Sequence, residues 1–296
     1  MKNTVNNIQF KHKSCVNLQG NFTEIEENQI SLYVVMTRKC NTNCRFCEYH
    51  SGKSDIDIEK FSKTLDWLLS FCDITTVHFT GGEPTLEIEK FKQILKVIKS
   101  KDKLIDTSVN TNGTNLKLLE NIKELDNIAL SRHAISDNEN QQVFRSSLVP
   151  TIEDISKFNE PHKLHLSCNL IKGYVDSKDK IHQYLELAAS LNINDVGVVS
   201  LMGVNEYCKN NYVDFSKLNV TSIENIKKVR GFCNRDSDTD RICCKCENYL
   251  YRASNMNLIS MYHRYAIRNN EVADYLVYED NNLKQGFSGH IIDITY

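Results

Sequence analysis

The chain has 296 residues, of which 41% are hydrophobic and 25% charged, enough for an α/β domain with a sizeable core. Its formal net charge of −2 provides no bulk attraction to nucleic acid, so a small-molecule substrate is expected instead. No run approaches the roughly 18–20 apolar residues of a membrane span, and the opening Met1-Lys2-Asn3-Thr4 lacks a signal-peptide core, so a cytoplasmic location is expected.

Residues 1–30 are read as an N-terminal unit, with a hairpin over 8–30 turning at Asn17–Asn21. Short apolar runs then predict strands at Leu32–Met36, Val77–Thr80, Leu104–Val109, Ile128–Ser131, Leu164–Leu170 and Val196–Leu201. Between them, Ile58, Phe61, Leu65 and Leu68 share one helical face. The same spacing recurs at Phe91, Ile94, Leu95 and Ile98, and at Ile181, Tyr184, Leu185 and Ala188. Alternating strands and helices over 31–230 predict parallel strands with helical crossovers. The fold class is therefore α/β, a partial (β/α)6 TIM-like barrel, since six units fall short of eight. Residues 231–296 read as a small, antiparallel, β-rich and cysteine-containing C-terminal extension. Its expected strands are Tyr249–Arg252 with Leu258–Tyr262, and Asp274–Tyr278 with 283–287.

The chain has eleven cysteines, a number that needs a chemical reason. A reducing compartment disfavours disulfides, and the cysteines cluster. Cys40, Cys44 and Cys47 fall in one loop directly after the first core strand, spaced three residues and then two apart. Thiolates are the usual iron–sulfur ligands, and three of them leave one iron of a four-iron cluster open. Polar groups end the other strands: Gly81-Gly82-Glu83-Pro84, Asn110-Thr111-Asn112-Gly113, Ser131-Arg132-His133, Ser167-Cys168-Asn169 and Leu201-Met202-Gly203. In parallel α/β folds these strand ends form the active-site mouth. Two adjacent glycines also allow the backbone to approach a ligand closely. Cys15, Cys72 and Cys168 read as buried hydrophobes, His78 as a core residue, and Cys208 and His50 stay open.

The cysteine loop, followed by Gly81-Gly82-Glu83-Pro84, resembles the radical S-adenosylmethionine (SAM) superfamily over roughly residues 31–205. The resemblance implies a [4Fe–4S] cluster on Cys40, Cys44 and Cys47 with SAM at its open iron, and a flavodoxin- or ferredoxin-type electron donor. It implies that Phe46 lies against adenine and that Gly81, Gly82, Glu83 and Pro84 meet the methionine amino group. Asn110, Asn112, Ser131 and Arg132 become candidates for the ribose and the methionine carboxylate. Asn169, Leu201 and Met202 complete the ribose and adenine contacts.

A second cysteine group comprises Cys233, Cys243, Cys244 and Cys246, with Cys208, His263 or His290 as possible further ligands. It resembles a shortened auxiliary-cluster extension with altered spacing, which leaves open zinc, a second iron–sulfur cluster, or no metal. Ser131-Arg132-His133-Ala134, Asp137-Asn138 and the tail Cys246-x2-Tyr249-Leu250-Tyr251 are similar to queuine lyase-like proteins. Those enzymes cut a side-chain carbon–nitrogen bond of a deazaguanine base, which makes His133, Asp137, Asn138, Tyr249 and Tyr251 candidate substrate contacts. The alternatives are a radical SAM dehydrogenase or peptide-modifying enzyme with an auxiliary cluster, and a non-catalytic metal carrier. A carrier leaves the strand-end glycine motif without a purpose.

Overall fold

The computed structural model describes residues 3–5, 8–10, 29–48, 55–229, 246–264, 275–287 and 289–294. Strands β1 (Asn3–Val5) and β2 (Ile8–Phe10) form a small antiparallel ladder in which Val5 pairs with Ile8. The hairpin expected over 8–30, with its turn at Asn17–Asn21, falls on residues 11–28, which lie outside the described residues.

Six parallel strands follow: β3 (Gln29–Thr37), β4 (Asp73–Gly81), β5 (Asp106–Thr111), β6 (Asn127–Ser131), β7 (Leu164–Leu170) and β8 (Asp195–Ser200). Helix α1 (Ile58–Leu69) links β3 to β4, and α2 (Ile88–Lys101) links β4 to β5. The β5–β6 connection carries only a 3₁₀ turn at Leu116–Leu119. Helices α3 (Asp137–Phe144) and α4 (Ile152–Ser156) precede β7, α5 (Lys178–Ser190) precedes β8, and α6 (Glu206–Asn210) follows it. The chain then forms β9 (Ile226–Val229), β10 (Cys246–Arg252), β11 (Leu258–Arg264), β12 (Tyr275–Glu279), β13 (Asn282–Lys284) and β14 (Ile291–Ile292).

The C-terminal hairpins fall close to where the sequence put them, but they do not build a sheet of their own. Among the described residues, one twelve-stranded sheet runs β14-β13-β12-β3-β4-β5-β6-β7-β8-β11-β10-β9. Strand β11 adds parallel to β8 and β12 adds parallel to β3, which makes eight consecutive parallel strands. An open six-stranded sheet has two edges with unpaired backbone groups, and the extension covers both.

Alternation along the strands separates two faces. Leu32, Val34 and Met36 of β3 join Phe61, Leu65 and Leu68 of α1 in the main core. We call this helix-covered side the outer face. The intervening residues point to the inner face, where Tyr33, His78, Ser108, Asn110, Ser131, Ser167 and Asn169 stand at the inward positions of β3 to β7. An apolar outer face and a polar inner face suit a barrel whose lumen takes a polar guest.

Candidate active site

The loop after β3 is tied down by its neighbours' backbones. Gly82 N–H donates to Thr37 O at 2.7 Å and Glu83 N–H to Lys39 O at 2.8 Å. A Cβ at Gly81, where φ is +125°, would lie 2.2 Å from Thr37 O, and one at Gly82 would lie 1.9 Å from Lys39 O. The room these glycines create is thus filled by the chain entering the cysteine loop. The sequence reading assigned that room to a ligand.

Glu83 is fully buried, and its carboxylate is also committed within the protein. It accepts from Thr85 N–H (3.1 Å), Thr85 Oγ1 (2.6 Å), Thr111 Oγ1 (2.8 Å) and Asn112 N–H (2.8 Å). Burial pushes this carboxyl up and the four bonds work against that. Pro84, buried behind it, opens a 3₁₀ turn at Pro84–Glu87. Asn112 extends the same network into the loop. Its Nδ2 donates to Asn41 Oδ1 at 2.9 Å and lies 3.8 Å from Cys40 Sγ. The loop's other flank is held by Asn43 N–H on Phe144 O (3.1 Å) and by Asn205 Nδ2 on Arg45 O (2.9 Å). Cys208, open in sequence, is a buried thiol beside Phe46 O.

Cys40 and Cys44 carry free thiols, and Cys47 follows in the same loop, its backbone N–H on Cys44 O at 3.2 Å. The Thr42 hydroxyl sits between two of them, 3.2 Å from Cys40 Sγ and 3.6 Å from Cys44 Sγ. Burial pushes the Cys44 thiol up to about 12; Cys47 and Cys40 add to this and the Thr42 hydrogen bond opposes it. A bound cation reverses that preference and holds the thiolate. Among the described residues no three His, Cys, Asp or Glu side chains converge as ligands of a single ion. A cubane cluster binds one thiolate at each of three irons, so its ligands stand apart, and three soft donors on one anchored loop fit that demand.

Next to the loop, Phe46 meets His133 edge-on, with centroids 5.0 Å apart, and His133 stacks on Phe144 at 4.9 Å. Asn169 N–H donates to His133 Nδ1 at 3.0 Å, so the ring proton sits on Nε2. Burial pushes His133 down to about 3, so it is neutral at physiological pH. Phe46 also packs with Val143, Ile171, Leu201 and Cys208. The structure therefore gathers Phe46, His133, Asn169 and Leu201 beside the cysteines. Met202 is exposed.

Other candidates face different tasks. The Arg132 guanidinium is buried on Ile135 O and Asp137 Oδ1, both at 2.8 Å, and Asp137 also accepts from Ile152 N–H. Both bonds come from Nη2; Nη1 lies 3.5 Å from Pro150 O and Nε has no hydrogen-bond partner among the described residues, whereas the carboxylate expected at the substrate is committed to the protein. Asn138 lies on α3 beside Gln141, Gln142 and Arg145, where the group lines a surface depression. Ser131 pairs with Ser167 across β6 and β7, and Asn110 is half-buried on β5. Tyr249 and Tyr251 point to the outer face. Tyr251 OH meets His182 Nε2 at 2.8 Å and also Glu186 of α5, while Tyr249 packs against Phe215. Strand alternation explains the correction: Asn248, between them, takes the inner face. His78, read as core, is half-buried on the inner face against Tyr33 at 4.7 Å.

Cys233, Cys243, Cys244, His50 and Cys15 lie outside the described residues, as does the side chain of Cys246. Of the possible further ligands, His263 stacks on Phe215 at 3.7 Å and places Nε2 2.9 Å from Ser200 Oγ. His290 is exposed. Sequence reasoning missed Asn248, Tyr262, His165 and Asp195. The available signal was a polar residue at alternate positions of a strand.

A family model described as the radical SAM superfamily matches residues 34–158. A probable GTP 3′,8-cyclase from Sulfolobus acidocaldarius is 28% identical over 238 residues, which are 76% of this chain and 70% of that protein. An uncharacterized protein from Methanocaldococcus jannaschii is 28% identical over 131 residues, 42% of this chain and 46% of that one. The chain spans about half the length of the first curated relatives it matches. Streptococcus suis SuiB bound to S-adenosylmethionine shares the fold, with a TM-score of 0.52 at 18% identity, covering 63% of this chain and 44% of that chain.

Proposed function

The chain belongs to the radical SAM superfamily, and from that premise we propose that it cuts the side-chain carbon–nitrogen bond of a deazaguanine-type base such as queuine. The observation that carries the cofactor half is the anchored cysteine loop, held by Gly82, Glu83 and Asn112. A [4Fe–4S] cluster held by Cys40, Cys44 and Cys47 would supply one electron, taken from a flavodoxin- or ferredoxin-type donor, to split SAM and give a hydrogen-abstracting 5′-deoxyadenosyl radical.

The chain's own residues bind and orient. Phe46, braced edge-on by His133, gives adenine an apolar face. Ser131, Asn110 and Asn169 face inward at the strand ends and suit ribose and carboxylate oxygens. Arg132, committed to Asp137, supports the β6 end that presents Ser131. The polar inner face supports a small polar substrate. The Sulfolobus relative is named for a reaction on GTP, which agrees with a guanine-like ring.

The test is anaerobic reconstitution, then dithionite, SAM and queuine. About four irons per chain, with 5′-deoxyadenosine and a base shortened at its side-chain nitrogen, is the expected result. If 5′-deoxyadenosine forms while the base stays intact, the lyase reading fails. The second cysteine group favours one other reading, a dehydrogenase or peptide-modifying enzyme with an auxiliary cluster. About eight irons per chain would favour it.

A further inference from the structure

Among the described residues, two buried polar side chains on the inner face lack a partner, the Ser108 hydroxyl on β5 and the Asn248 amide on β10. For Asn248 this is true of both Nδ2 and Oδ1, although the residue is only 2% exposed. Native proteins rarely bury an amide with neither end paired, unless a ligand or water meets it.

The surroundings are arranged to keep this amide free. Ser131, Ser167, Gly197, Tyr262 and Asn248 form one row of paired residues across β6, β7, β8, β11 and β10. Asn248 therefore shares a row with Ser131, which stands next to the Arg132–His133 strand end. Its cross-strand neighbour Tyr262 leans the other way. A Cβ at Gly197 would lie 2.5 Å from the Tyr262 ring and 2.8 Å from His165 Nε2, so the phenol crosses β8 over a glycine. There it lies parallel to the His165 ring, with 5.4 Å between centroids and 5° between planes. Asp195 Oδ2 is 2.9 Å from His165 Nδ1, and Tyr262 OH is 3.3 Å from Nε2. The carboxylate accepts the Nδ1 proton, which leaves Nε2 to accept from the phenol. Asp195, His165 and Gly197 thus position Tyr262 away from β10.

We propose that Asn248 is a specificity residue that pairs edge-on with a planar heterocycle presenting a ring N–H beside a ring carbonyl. Nδ2 donates to the carbonyl and Oδ1 accepts from the ring N–H, using both ends of the amide at once. Guanine and 7-deazaguanine have this lactam edge. On β3, β4 and β5, Tyr33 pairs with His78 and His78 with Ser108, which puts aromatic rings beside the second unpartnered group. An aromatic surface with hydrogen-bonding ends matches a flat polar ring. The proposal rests on the base-substrate reading given above and sharpens it to one edge of the ring.

The experiment titrates the reconstituted full chain with guanine, 7-deazaguanine and indole, the last having ring N–H but no carbonyl. Calorimetry and ligand-free Tm are measured for the wild type and for Asn248→Leu, with Asn248→Ala as a second variant should the first not fold. The wild type should prefer the lactam bases to indole, and Asn248→Leu should lose roughly tenfold to hundredfold of that affinity. Its ligand-free Tm should rise, because an unpaired buried amide is replaced by an apolar side chain of similar size. Unchanged lactam affinity in the variant, or a lower Tm, overturns the role of Asn248 and leaves the base reading standing. A wild type that binds no lactam base better than indole overturns both.

Discussion

The cysteine loop's shell and the barrel's inner wall treat buried polar groups in opposite ways. Around the loop, one carboxylate satisfies four donors, and two glycines bring backbone onto backbone. On the inner wall, the Asn248 amide and the Ser108 hydroxyl have no hydrogen-bond partner among the described residues. The first arrangement is complete without a guest and carries stability. The second bears a desolvation cost that a ligand would relieve. Under the proposed function, preorganisation belongs to the cofactor side and unmet polar demand to the substrate side.

The largest test of that contrast is Gly82→Ala. The new Cβ would lie 1.9 Å from Lys39 O, so the backbone must move and the Gly82–Thr37 and Glu83–Lys39 hydrogen bonds weaken together. A loss of about 4 kcal/mol is expected, with less iron retained per chain after reconstitution. Wild-type urea stability and full iron content would show that the loop is not clamped there. Glu83→Ala comes next. It strands Thr85 N–H and Asn112 N–H, both met by Glu83, and should cost about 3 kcal/mol in the same unfolding assay.

The cysteine loop was legible because its chemistry is local: three thiols within eight residues and a glycine pair that tolerates no side chain. The six core strands were legible because apolar runs separated by amphipathic helices allow few arrangements. What escaped depends on distant pairing. Nothing local to 246–264 or 275–287 states that one hairpin extends the β8 edge and the other the β3 edge. The roles of Tyr249 and Tyr251 turned on the same point, since a strand's inward face is known only once its sheet is known. Arg132 is hard to read locally for another reason. Its partner Asp137 is five residues away, and a strand-end arginine looks alike whether it serves a ligand or its own loop.

Acid should probe both regions at once. Burial holds His133, beside the loop, down to about 3 and His263, on β11, down to about 4, against an ordinary 6.5. As pH falls below 6.5 the unfolded chain takes up protons that the folded chain refuses, so stability drops until the folded values are reached. By pH 5 each histidine should remove about 2 kcal/mol. Replacing either one with glutamine should shrink the loss between pH 7 and pH 5 by about that amount. An unchanged loss in His133→Gln would mean that the imidazole beside Phe46 is not closed off from water.

The smallest expected effect discriminates most finely. Asn112→Ala removes the 2.9 Å bond to Asn41, the 3.0 Å bond that Asn112 Oδ1 accepts from Thr114 N–H and the 3.8 Å approach to Cys40 Sγ, but keeps the backbone N–H on Glu83. Its stability cost should be only about 1 kcal/mol, because Asn41 and Thr114 are both half-buried and water can replace the lost partner of each. The Cys40 sulfur is different, since a hydrogen bond to a thiolate stabilises the charge that the cluster needs. Asn112→Ala should therefore retain the fold yet release iron faster to a chelator than the wild type does. Equal release rates, alongside the small stability loss, would confine Asn112 to tying the loop and leave the thiolate to the Thr42 hydroxyl.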